Sequence, residues 1–562
     1  MIIGLDVGGT HTDAVLIGEG SILRQAKVPT RHSDLFECVW AGLEQVTADI
    51  DPQKIRRVVL STTLATNAIA EGKLAPAAMI VSAGPGMDPA GFRTGPYYYT
   101  VSGSIDHRGR EVQPIDRSQI EKIASRLIAD GIRHVGVVSK FSVRNPRHEL
   151  GIAEILGNSF ETVILGHQLS GNLNFPRRIA TTFLNAAVCP VYRRFFEAVR
   201  ASMEKKGLKV PIFVLKADGG TMSLDVSIAA PGQTILSGPA ASVIGSLPFA
   251  SRNADMLVLD IGGTTTDMAV LVQGVPLLEP LGARIGGVRT LIRALNTTSI
   301  PLGGDSTVKL ADGAIKIGPE RQGPAMAYGG PVPTCTDALF VLGEVAEGGS
   351  VESSQRGLQP LADGLGIPLE EAAKRILDLA CRNILAAARE MIDRINAKPV
   401  YTIREILSDY KVEPREILVL GGPAGHFAPR LAGISGLGSR AAPNFRVANA
   451  IGAALARTTC EVSLFVDTER AIAAAPRENF QQEVRSAFGR DRALELAYDL
   501  LRKKCLKFGA IDPEIEMEIV EDMQFNVIRG GRRTGQIIRI KVQAKPGLIP
   551  GYRDIFGNSI VR

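Results

Sequence analysis

A short acidic, glycine-rich segment occurs twice in this chain of 562 residues, and it restricts the possible folds more than any other feature. The segment is DVGGTHTD at residues 6–13 and DIGGTTTD at residues 260–267, so six of eight positions agree. Each copy lies between two short apolar runs, a pattern typical of a strand, a tight glycine turn and a second strand. The repeat therefore predicts two similar halves, each of which begins with a β-hairpin.

Both predicted hairpins carry residue types suited to binding a nucleotide polyphosphate. Adjacent glycines let the backbone approach a ligand closely, and successive N–H groups in such a turn form a concave anion site. Threonine hydroxyls add donors, whereas an ionised aspartate repels a phosphate unless a cation lies between them, so Asp6 and Asp260 indicate Mg²⁺ bound through water molecules. The predicted phosphate-binding residues are Gly8, Gly9, Thr10, Thr12, Gly262, Gly263, Thr264 and Thr265. The alternative is an ordinary hairpin turn with a polar tip.

Two further glycine pairs fit the same interpretation. Residues 416–420 (EILVL) are typical of a strand and lead into Gly421 and Gly422, where the backbone can lie close to adenine or ribose. Gly303 and Gly304, followed by an aspartate, form a candidate phosphate or cation loop. A purely structural turn is the alternative at both places. The sequence contains no P-loop motif, and no G-x-G-x-x-G follows a strand.

With these segments the sequence resembles the actin-like ATPase superfamily, which includes sugar kinases, Hsp70 and actin. The resemblance implies an α/β fold of two ribonuclease H-like halves with a central cleft that holds ATP. Residues 6–13 and 260–267 are then the two phosphate hairpins, and residues 421–425 are the adenosine motif. The implied cofactors are ATP and Mg²⁺.

Five more short motifs narrow the resemblance. They are STTLATNAI at residues 61–69, NPRHE at 145–149, LSGPA at 236–240, PTCTDA at 333–338 and NAIGAA at 449–454. In these the chain resembles the hydantoinase/oxoprolinase family, A-subunit type. It departs from the family pattern where Leu60 and Ser61 stand in place of His-Gly and where His11 replaces an aromatic residue. The chain is therefore identified as a divergent, short member, for which ATP use carries over better than substrate identity.

The family resemblance implies an ATP-dependent hydrolase subunit that activates a small cyclic amide, of the hydantoin or 5-oxoproline type, by phosphoryl transfer to its carbonyl oxygen. One alternative is the ATP-using subunit of an acetone- or acetophenone-type carboxylase. Another is a nucleotide-switched chaperone or reactivating factor without a small substrate. The implied partners are a small carbonyl or cyclic amide substrate, a B-type subunit and further copies in an oligomer.

With this resemblance the predicted catalytic residues are Asp6, Asp260, Thr63, Asn67 and His148. In this interpretation Thr63 and Asn67 form a substrate wall that faces the γ-phosphate, and His148 acts in acid–base chemistry. The alternative for the threonine segment is a Thr or Ser that caps a helix N-terminus.

The order of motifs predicts three parts: residues 1–184 with the first hairpin, residues 185–460 with the second hairpin and the adenosine-like turn, and residues 461–562 as a small C-terminal α+β appendage. Apolar spacing predicts a packing helix at residues 370–395. A final helix is expected near residues 448–459, and a charged helix near residues 479–506. Strand-like runs follow at residues 514–520 and 536–542, with a hairpin tip at residues 529–533.

Composition excludes several other classes of protein. The net charge is only +6, with no dense lysine or arginine run, which argues against a nucleic-acid partner. The six cysteines form no C-x-x-C pair, so we expect neither a zinc cage nor a disulfide framework, and a reduced, cytoplasmic setting. No signal-peptide pattern occurs, and no apolar run approaches the roughly 20 residues that span a bilayer, so no membrane partner is expected.

Overall fold

A computed structural model describes residues 1–9, 11–18, 20–30, 35–279, 281–345, 348–397, 410–511 and 515–552. The chain forms two units and passes from one to the other more than once. Unit 1 contains residues 1–238, 279–294 and 456–550, and unit 2 contains residues 239–278 and 295–455. The division into three parts expected from sequence stays a prediction, and both of its boundaries fall within unit 1.

The N-terminal part of the chain alternates strands with helices. Its strands are β1 (Ile2–Val7), β2 (His11–Gly18), β3 (Ser21–Pro29), β4 (Arg57–Thr62), β5 (Ala77–Ser82), β6 (Tyr98–Thr100), β7 (Ser104–Ile105), β8 (Glu111–Gln113), β9 (His134–Ser139), β10 (Thr162–Leu165), β11 (Ile212–Leu215) and β12 (Thr221–Ser223). Its helices are α1 (Leu35–Thr47), α2 (Leu64–Ala70), α3 (Arg117–Ala129), α4 (Arg147–Leu156), α5 (Gly166–Leu169), α6 (Phe175–Lys205) and α7 (Leu224–Ala229).

The middle part begins with α8 (Ser237–Ser246). Its strands are β13 (Met256–Ile261), β14 (Thr266–Val272), β15 (Val275–Pro276), β16 (Arg284–Ile285), β17 (Val288–Arg289), β18 (Thr297–Ile300), β19 (Val308–Ala311), β20 (Ala314–Ile317), β21 (Glu416–Leu420) and β22 (Gly438–Ala441). Its further helices are α9 (Cys335–Val341), α10 (Val351–Leu365), α11 (Leu369–Asn396), α12 (Ala424–Ser435) and α13 (Ala448–Leu455).

The C-terminal part contains β23 (Glu461–Asp467), β24 (Ile472–Ala475), β25 (Phe480–Glu483), α14 (Arg490–Lys507), β26 (Met517–Arg529) and β27 (Arg532–Ala544). These strands form one sheet in the order β25-β24-β23-β27-β26, and α14 packs its buried residues against it. The expected helix at 479–506 is therefore wrong at its start, because residues 480–483 pair with β24 as a strand. The predicted hairpin tip is confirmed: Gly530 and Gly531, both with positive φ, join β26 to β27.

The main sheet of unit 1 has the order β12-β11-β4-β1-β2-β3. β1 pairs antiparallel with β2 and parallel with β4, and β4 pairs parallel with β11. β1 is buried along its whole length. Its apolar side chains pack with those of β4 and with Phe195 and Phe196 of α6.

A second sheet of unit 1, in the order β10-β9-β5-β6, is parallel throughout. Buried residues of α3 and α4, among them Ile120, Leu127 and Ile152, pack against it. The segment 145–149 lies at the start of α4, beside this sheet. This placement matters for His148, as described below.

Unit 2 repeats the strand arrangement of unit 1. Its sheet has the order β15-β14-β13-β21-β22, with β18 also paired to β14. β13 pairs antiparallel with β14 and parallel with β21, as β1 does with β2 and β4. The predicted helix at 370–395 is confirmed as α11, which contributes Ile376, Leu377 and Ile384 to the core.

The observed order confirms the expected fold class: an α/β chain with two ribonuclease H-like sheets and a C-terminal α+β sheet. The expected helix near 448–459 is confirmed at its start, but it ends at Leu455, because Ala456 pairs with Leu548 in a β-bridge. Within the described ranges, each helix is either too short or too polar to cross a membrane.

Candidate nucleotide-binding hairpins

The first hairpin joins β1 to β2 and exposes its glycine tip. In the antiparallel register Asp6 lies opposite Asp13, and Val7 lies opposite Thr12. The Gly8 N–H donates to the carbonyl oxygen of His11 at 3.0 Å, which closes the turn. Gly9 at the tip is exposed, and Thr10 lies outside the described residues.

The segment after β4 lies beside this tip. Parallel pairing places Thr62 opposite Val7, and the Thr63 N–H donates to the Val7 carbonyl oxygen at 3.3 Å. The Asn67 amide, one turn into α2, donates to Thr63 Oγ1 at 3.3 Å. A Cβ atom added to Gly9 would lie 3.6 Å from that amide nitrogen. The structure thus brings together Gly8, Gly9, Thr63 and Asn67.

Residues 236–238 hold the same segment from the other side. Ser237 Oγ donates to the Thr62 carbonyl oxygen at 2.8 Å, and the Leu236 N–H donates to Thr66 Oγ1 at 3.0 Å. A Cβ atom at Gly238 would lie only 2.8 Å from Thr63 Cγ2, so this close approach needs a glycine. Two of the short sequence motifs are therefore parts of one packed unit.

Both aspartates of the first hairpin and its Thr12 are buried. Asp6 is 6% exposed and Asp13 is 9% exposed, and Asp13 pairs with the Lys27 ammonium group at 2.8 Å. The Thr12 hydroxyl is fully buried and hydrogen bonds with Thr30. Thr12 therefore lies beneath the tip, within the strand pair.

The second hairpin has the same geometry in unit 2. Asp260 lies opposite Asp267, and the Gly262 N–H donates to the Thr265 carbonyl oxygen at 2.9 Å. Thr264 at its tip is exposed, and Thr265 is half-buried. Gly263 completes the tip, and a Cβ atom there would lie 2.7 Å from Asp305 Oδ2.

The loop at residues 303–306 packs directly against the second hairpin. The Gly304 N–H donates to the Gly262 carbonyl oxygen at 2.9 Å, and the Asp305 N–H donates to that of Gly263 at 2.7 Å. A Cβ atom at Gly303 would lie 2.6 Å from both carbonyl oxygens, so this contact requires a glycine. The candidate phosphate or cation loop at Gly303 and Gly304 is thus packed against the second hairpin.

Asp260 is the centre of the unit 2 site. Its Oδ2 accepts hydrogen bonds from Ser242 Oγ at 2.6 Å and from the Asn449 amide at 3.2 Å. Pairing with Leu420 of β21 brings the next residue, Gly421, so close that a Cβ atom there would lie 2.6 Å from Asp260 Oδ1. Gly422 has open space around it. Asn449 belongs to the NAIGAA motif, but the sequence analysis assigned this residue no role. Ser242 was not among the predicted site residues.

His148 lies in a different part of unit 1. It is buried at the start of α4, and its Nε2 lies 2.9 Å from Glu111 Oε1. This hydrogen bond lowers the pKa of Glu111. A Cβ atom at Gly103 would lie 3.2 Å from the imidazole ring. The side-chain hydrogen bond that His148 makes is to Glu111 of β8.

The donor groups at the two hairpins fit Mg²⁺ only in company with a phosphate. The described residues contain no group of three or more histidine, cysteine or acidic side chains able to hold a metal. Each hairpin instead supplies a nearly buried carboxylate, Asp6 or Asp260, beneath a glycine tip. Mg²⁺ in phosphoryl-transfer sites is held by one or two carboxylates together with substrate phosphates.

Comparison with known proteins identifies related chains. A family model described as hydantoinase/oxoprolinase matches residues 178–462, and a model of the N-terminal region of the same family matches residues 2–160. Caprolactamase subunit alpha of Pseudomonas jessenii is 26% identical over 76% of this chain and 66% of its own. Acetophenone carboxylase gamma subunit of Aromatoleum aromaticum is 25% identical over 69% of this chain and 61% of its own.

5-Oxoprolinase 1 of Arabidopsis thaliana is 26% identical over 61% of this chain and 31% of its own. The chain therefore spans less than two thirds of the length of all three relatives.

Among solved structures, two share the fold of this chain. A nucleotide-free acetone carboxylase has a TM-score of 0.73 at 17% identity, covering 98% of this chain and 88% of its own. The ATP-dependent caprolactamase of Pseudomonas jessenii has a TM-score of 0.67 at 20% identity, covering 96% and 87%.

Proposed function

The chain belongs to the hydantoinase/oxoprolinase family, and from that premise we propose that it is an ATP-dependent subunit that activates a small cyclic amide, of the hydantoin or 5-oxoproline type, by phosphoryl transfer to the carbonyl oxygen. The observation that carries the proposal is the repeated hairpin. Each unit places an aspartate pair in the same register, Asp6 with Asp13 and Asp260 with Asp267, beneath a glycine tip.

Each group at the tips has a physical role in this proposal. The backbone N–H groups of the exposed tips donate to phosphate oxygens. In unit 1 the Asp6 carboxylate would hold Mg²⁺ through water, and in unit 2 the Asp260 carboxylate would do so. The Ser242 and Asn449 hydrogen bonds keep the Asp260 carboxylate in one orientation. Gly422, with open space beside it, receives the adenosine group.

The amide oxygen would take the γ-phosphoryl group of bound Mg-ATP, and the bond from phosphorus to ADP would break. Water would then add to the activated carbon, and the ring nitrogen would leave with a proton, which gives a ring-opened acyl phosphate. A second water would release this as a carboxylate and inorganic phosphate. The Asn67 amide and the Thr63 hydroxyl orient the substrate carbonyl beside the tip of the first hairpin. This is catalysis by positioning and by stabilising charge. We assign His148 no step, because its described partner is Glu111.

We also propose that the chain works with a second, B-type subunit. Two of its relatives are named as subunits, the alpha subunit of a caprolactamase and the gamma subunit of an acetophenone carboxylase. Activity assays therefore need a candidate partner subunit as well as this chain alone.

The test uses Asp6→Asn and Asp260→Asn, with Asp255→Asn as the control. Asp255 is as buried as Asp6, but it lies just before β13, at the opposite end of the strand from Asp260, where it accepts the Glu413 N–H. We expect the two hairpin variants to weaken Mg-ATP binding and amide-stimulated ATP turnover by about tenfold to a hundredfold, as loss of a metal-orienting group does. Asp255→Asn keeps nucleotide binding. Intact binding and turnover in both hairpin variants would refute the nucleotide site.

A second candidate function, the ATP-using subunit of a ketone carboxylase, is favoured by the acetophenone carboxylase relative. The same assay separates the two. ATP turnover that needs a ketone and bicarbonate supports the carboxylase, whereas turnover that needs a cyclic amide alone supports the hydrolase. ATP hydrolysis that responds only to a protein client supports a nucleotide switch.

A further inference from the structure

Unit 1 contains a small internal cavity that none of the roles above uses. Its volume is about 30 Å³, which is room for a few atoms. The charged residues that line it are Lys216, Asp218, Arg293, Glu461 and Arg477. These residues come from segments far apart in sequence, so only the fold brings them together.

Arg293 is the unusual member of this lining. Its side chain is 18% exposed, and both terminal nitrogens, Nη1 and Nη2, are buried without a hydrogen-bond partner in the part of the chain that the structure describes. The nearest carboxylate oxygens are those of Asp218, 3.7 Å from Nε, and of Glu461, 3.9 Å from Nη1. Both distances exceed those of hydrogen bonds. Four N–H donors therefore have no acceptor, and an unsatisfied buried charged group is costly.

Asp218 is already engaged by other groups. It accepts hydrogen bonds from the Gly220 N–H at 3.0 Å, from Thr459 Oγ1 at 3.0 Å and from the Lys216 ammonium at 3.2 Å. Burial alone raises the pKa of Asp218, but the charges of Lys216 and Arg293 outweigh burial, and the net pKa is lowered. Asp218 is therefore ionised, and its hydrogen bonds are made to Gly220, Thr459 and Lys216.

Glu461 is engaged in the same way. Its carboxylate pairs with the Lys541 ammonium at 2.9 Å and with Arg477 Nη1 at 3.3 Å. Burial opposes ionisation of Glu461 too, but the cations Lys541, Arg477 and Arg293 lower its pKa. Both carboxylates thus lie within ion-pair distance of Arg293, but neither hydrogen bonds to its Nη1 or Nη2.

The ion pairs around the cavity contain more cations than anions. The cations are Lys216, Arg293, Arg477, Lys504 and Lys541, and the anions are Asp218, Glu461 and Glu478. Each of these side chains is at most 18% exposed. Five positive charges against three negative charges leave an excess of two. Buried charge of one sign is unfavourable unless an opposite charge compensates it.

We propose that this cavity binds a small oxyanion, held by the guanidinium fork of Arg293. A planar guanidinium presents paired N–H donors that match two oxygens of a carboxylate, a bicarbonate or a phosphate. Such an anion accepts two of the four free donors of Arg293 and also reduces the charge excess. The small volume favours an ion of a few heavy atoms over a larger metabolite.

The cavity shares an apolar wall with the candidate site of the first hairpin. Ala217 and Ile292, next to the charged lining, belong to one buried cluster with Ala65 of α2 and with Ile235. Ala65 lies between Thr63 and Asn67, and Ile235 precedes the segment that binds Thr62 and Thr66. Binding of the anion therefore stabilises the apolar packing that supports Thr63 and Asn67 beside the first hairpin.

The experiment compares wild type with Arg293→Gln and Arg293→Lys. The control is Arg289→Gln, which removes the same charge from an exposed position in the same segment. Thermal unfolding and isothermal titration calorimetry are measured with phosphate, bicarbonate and formate at constant ionic strength. Phosphate is also titrated with excess Mg-ATP present, so that the hairpins do not contribute.

We expect at least one anion to bind saturably to wild type and to Arg289→Gln and to raise the unfolding temperature of both. Arg293→Gln should weaken that binding by about tenfold or more, because charge-assisted bonds are lost. Arg293→Lys keeps the charge but not the guanidinium fork, so its affinity for the anion should lie between those of wild type and Arg293→Gln. If Arg293→Gln does not fold, Arg293→Lys provides the test. The anion that binds identifies the source: phosphate, bicarbonate or a carboxylate.

Two results would overturn the proposal. One is that none of the three anions binds wild type saturably. The other is that binding is unchanged in both Arg293 variants, which would place the anion elsewhere. Neither result bears on the amide-activating function, since the readout is binding and not turnover.

Discussion

Replacing Gly421 by alanine tests how the second hairpin is built. Gly421 follows β21 with φ at 89°, a backbone conformation that residues with a side chain rarely adopt. A Cβ atom there would lie 2.2 Å from the Ile261 carbonyl oxygen and 2.6 Å from Asp260 Oδ1. Gly421→Ala must therefore push β21 away from the end of β13 and move the Asp260 carboxylate from its partners Ser242 and Asn449.

The expected loss of stability has two parts. The left-handed conformation costs a residue with a Cβ atom about 1–2 kcal/mol. Relieving an overpacked contact costs about a further 1–3 kcal/mol. We therefore expect Gly421→Ala to lower the free energy of unfolding of unit 2 by about 2–5 kcal/mol. The same displacement should weaken Mg-ATP binding in the proposed site.

Two nearby glycines serve as comparisons. Gly433, exposed in α12, has nothing within 4 Å of an added Cβ atom, so Gly433→Ala should be neutral or stabilise the helix by about 0.5–1 kcal/mol. Gly422 has equally open surroundings, so Gly422→Ala should keep stability. If Gly422 receives the adenosine group, however, Gly422→Ala should weaken nucleotide binding. The two adjacent substitutions would then separate folding from binding.

Hydrogen-exchange mass spectrometry of peptides that cover β13 and β21 measures the local effect, and urea unfolding followed by circular dichroism measures the global effect. Gly421→Ala should speed exchange in both strands, whereas Gly433→Ala should not. Unchanged exchange in Gly421→Ala, or an equal loss in Gly433→Ala, would show that the close approach of Gly421 to Ile261 and Asp260 does not support the hairpin.

Two further predictions concern buried carboxylates of the short motifs. Glu149 is fully buried. Burial raises the pKa of this carboxyl group, but hydrogen bonds from His167 outweigh burial, and the net pKa is lowered. The ionised carboxylate therefore stabilises the fold above the ordinary pKa of 4.5, and this contribution is lost as the pH falls below that value. Glu149→Gln should lower the free energy of unfolding by about 3 kcal/mol at pH 7, a difference that urea unfolding should show shrinking below pH 4.5; a constant difference would contradict this. Asp337 accepts the N–H groups of Met326 and Ala327 and the hydroxyl of Ser354, so Asp337→Ala should cost unit 2 about 3–5 kcal/mol in thermal unfolding, and no loss would refute a structural role for the motif.

Local features were predictable from sequence. The two hairpins and the strand at 416–420 follow from short apolar runs that end in glycine pairs, a signal contained in about ten neighbouring residues. The helix α11 follows from apolar spacing in the same way. Family membership also needed only short motifs in order.

Features that depend on distant partners were missed. The helix expected to begin at 479 begins at Arg490, because residues 480–483 complete a sheet with β24. The helix expected to reach 459 ends at Leu455, because the next residue pairs with Leu548. Helical propensity is a weak preference, and tertiary pairing overrides it.

The site divides in the same manner. The sequence alone determined that glycine tips and strand-end aspartates occur twice, because a turn needs only its own residues. The tertiary structure decided that Ser242 and Asn449 hold Asp260 and that His148 pairs with Glu111. It also buried Nη1 and Nη2 of Arg293 without a hydrogen-bond partner among the described residues. These contacts join residues tens to hundreds of positions apart, and only strand pairing and packing set such distances.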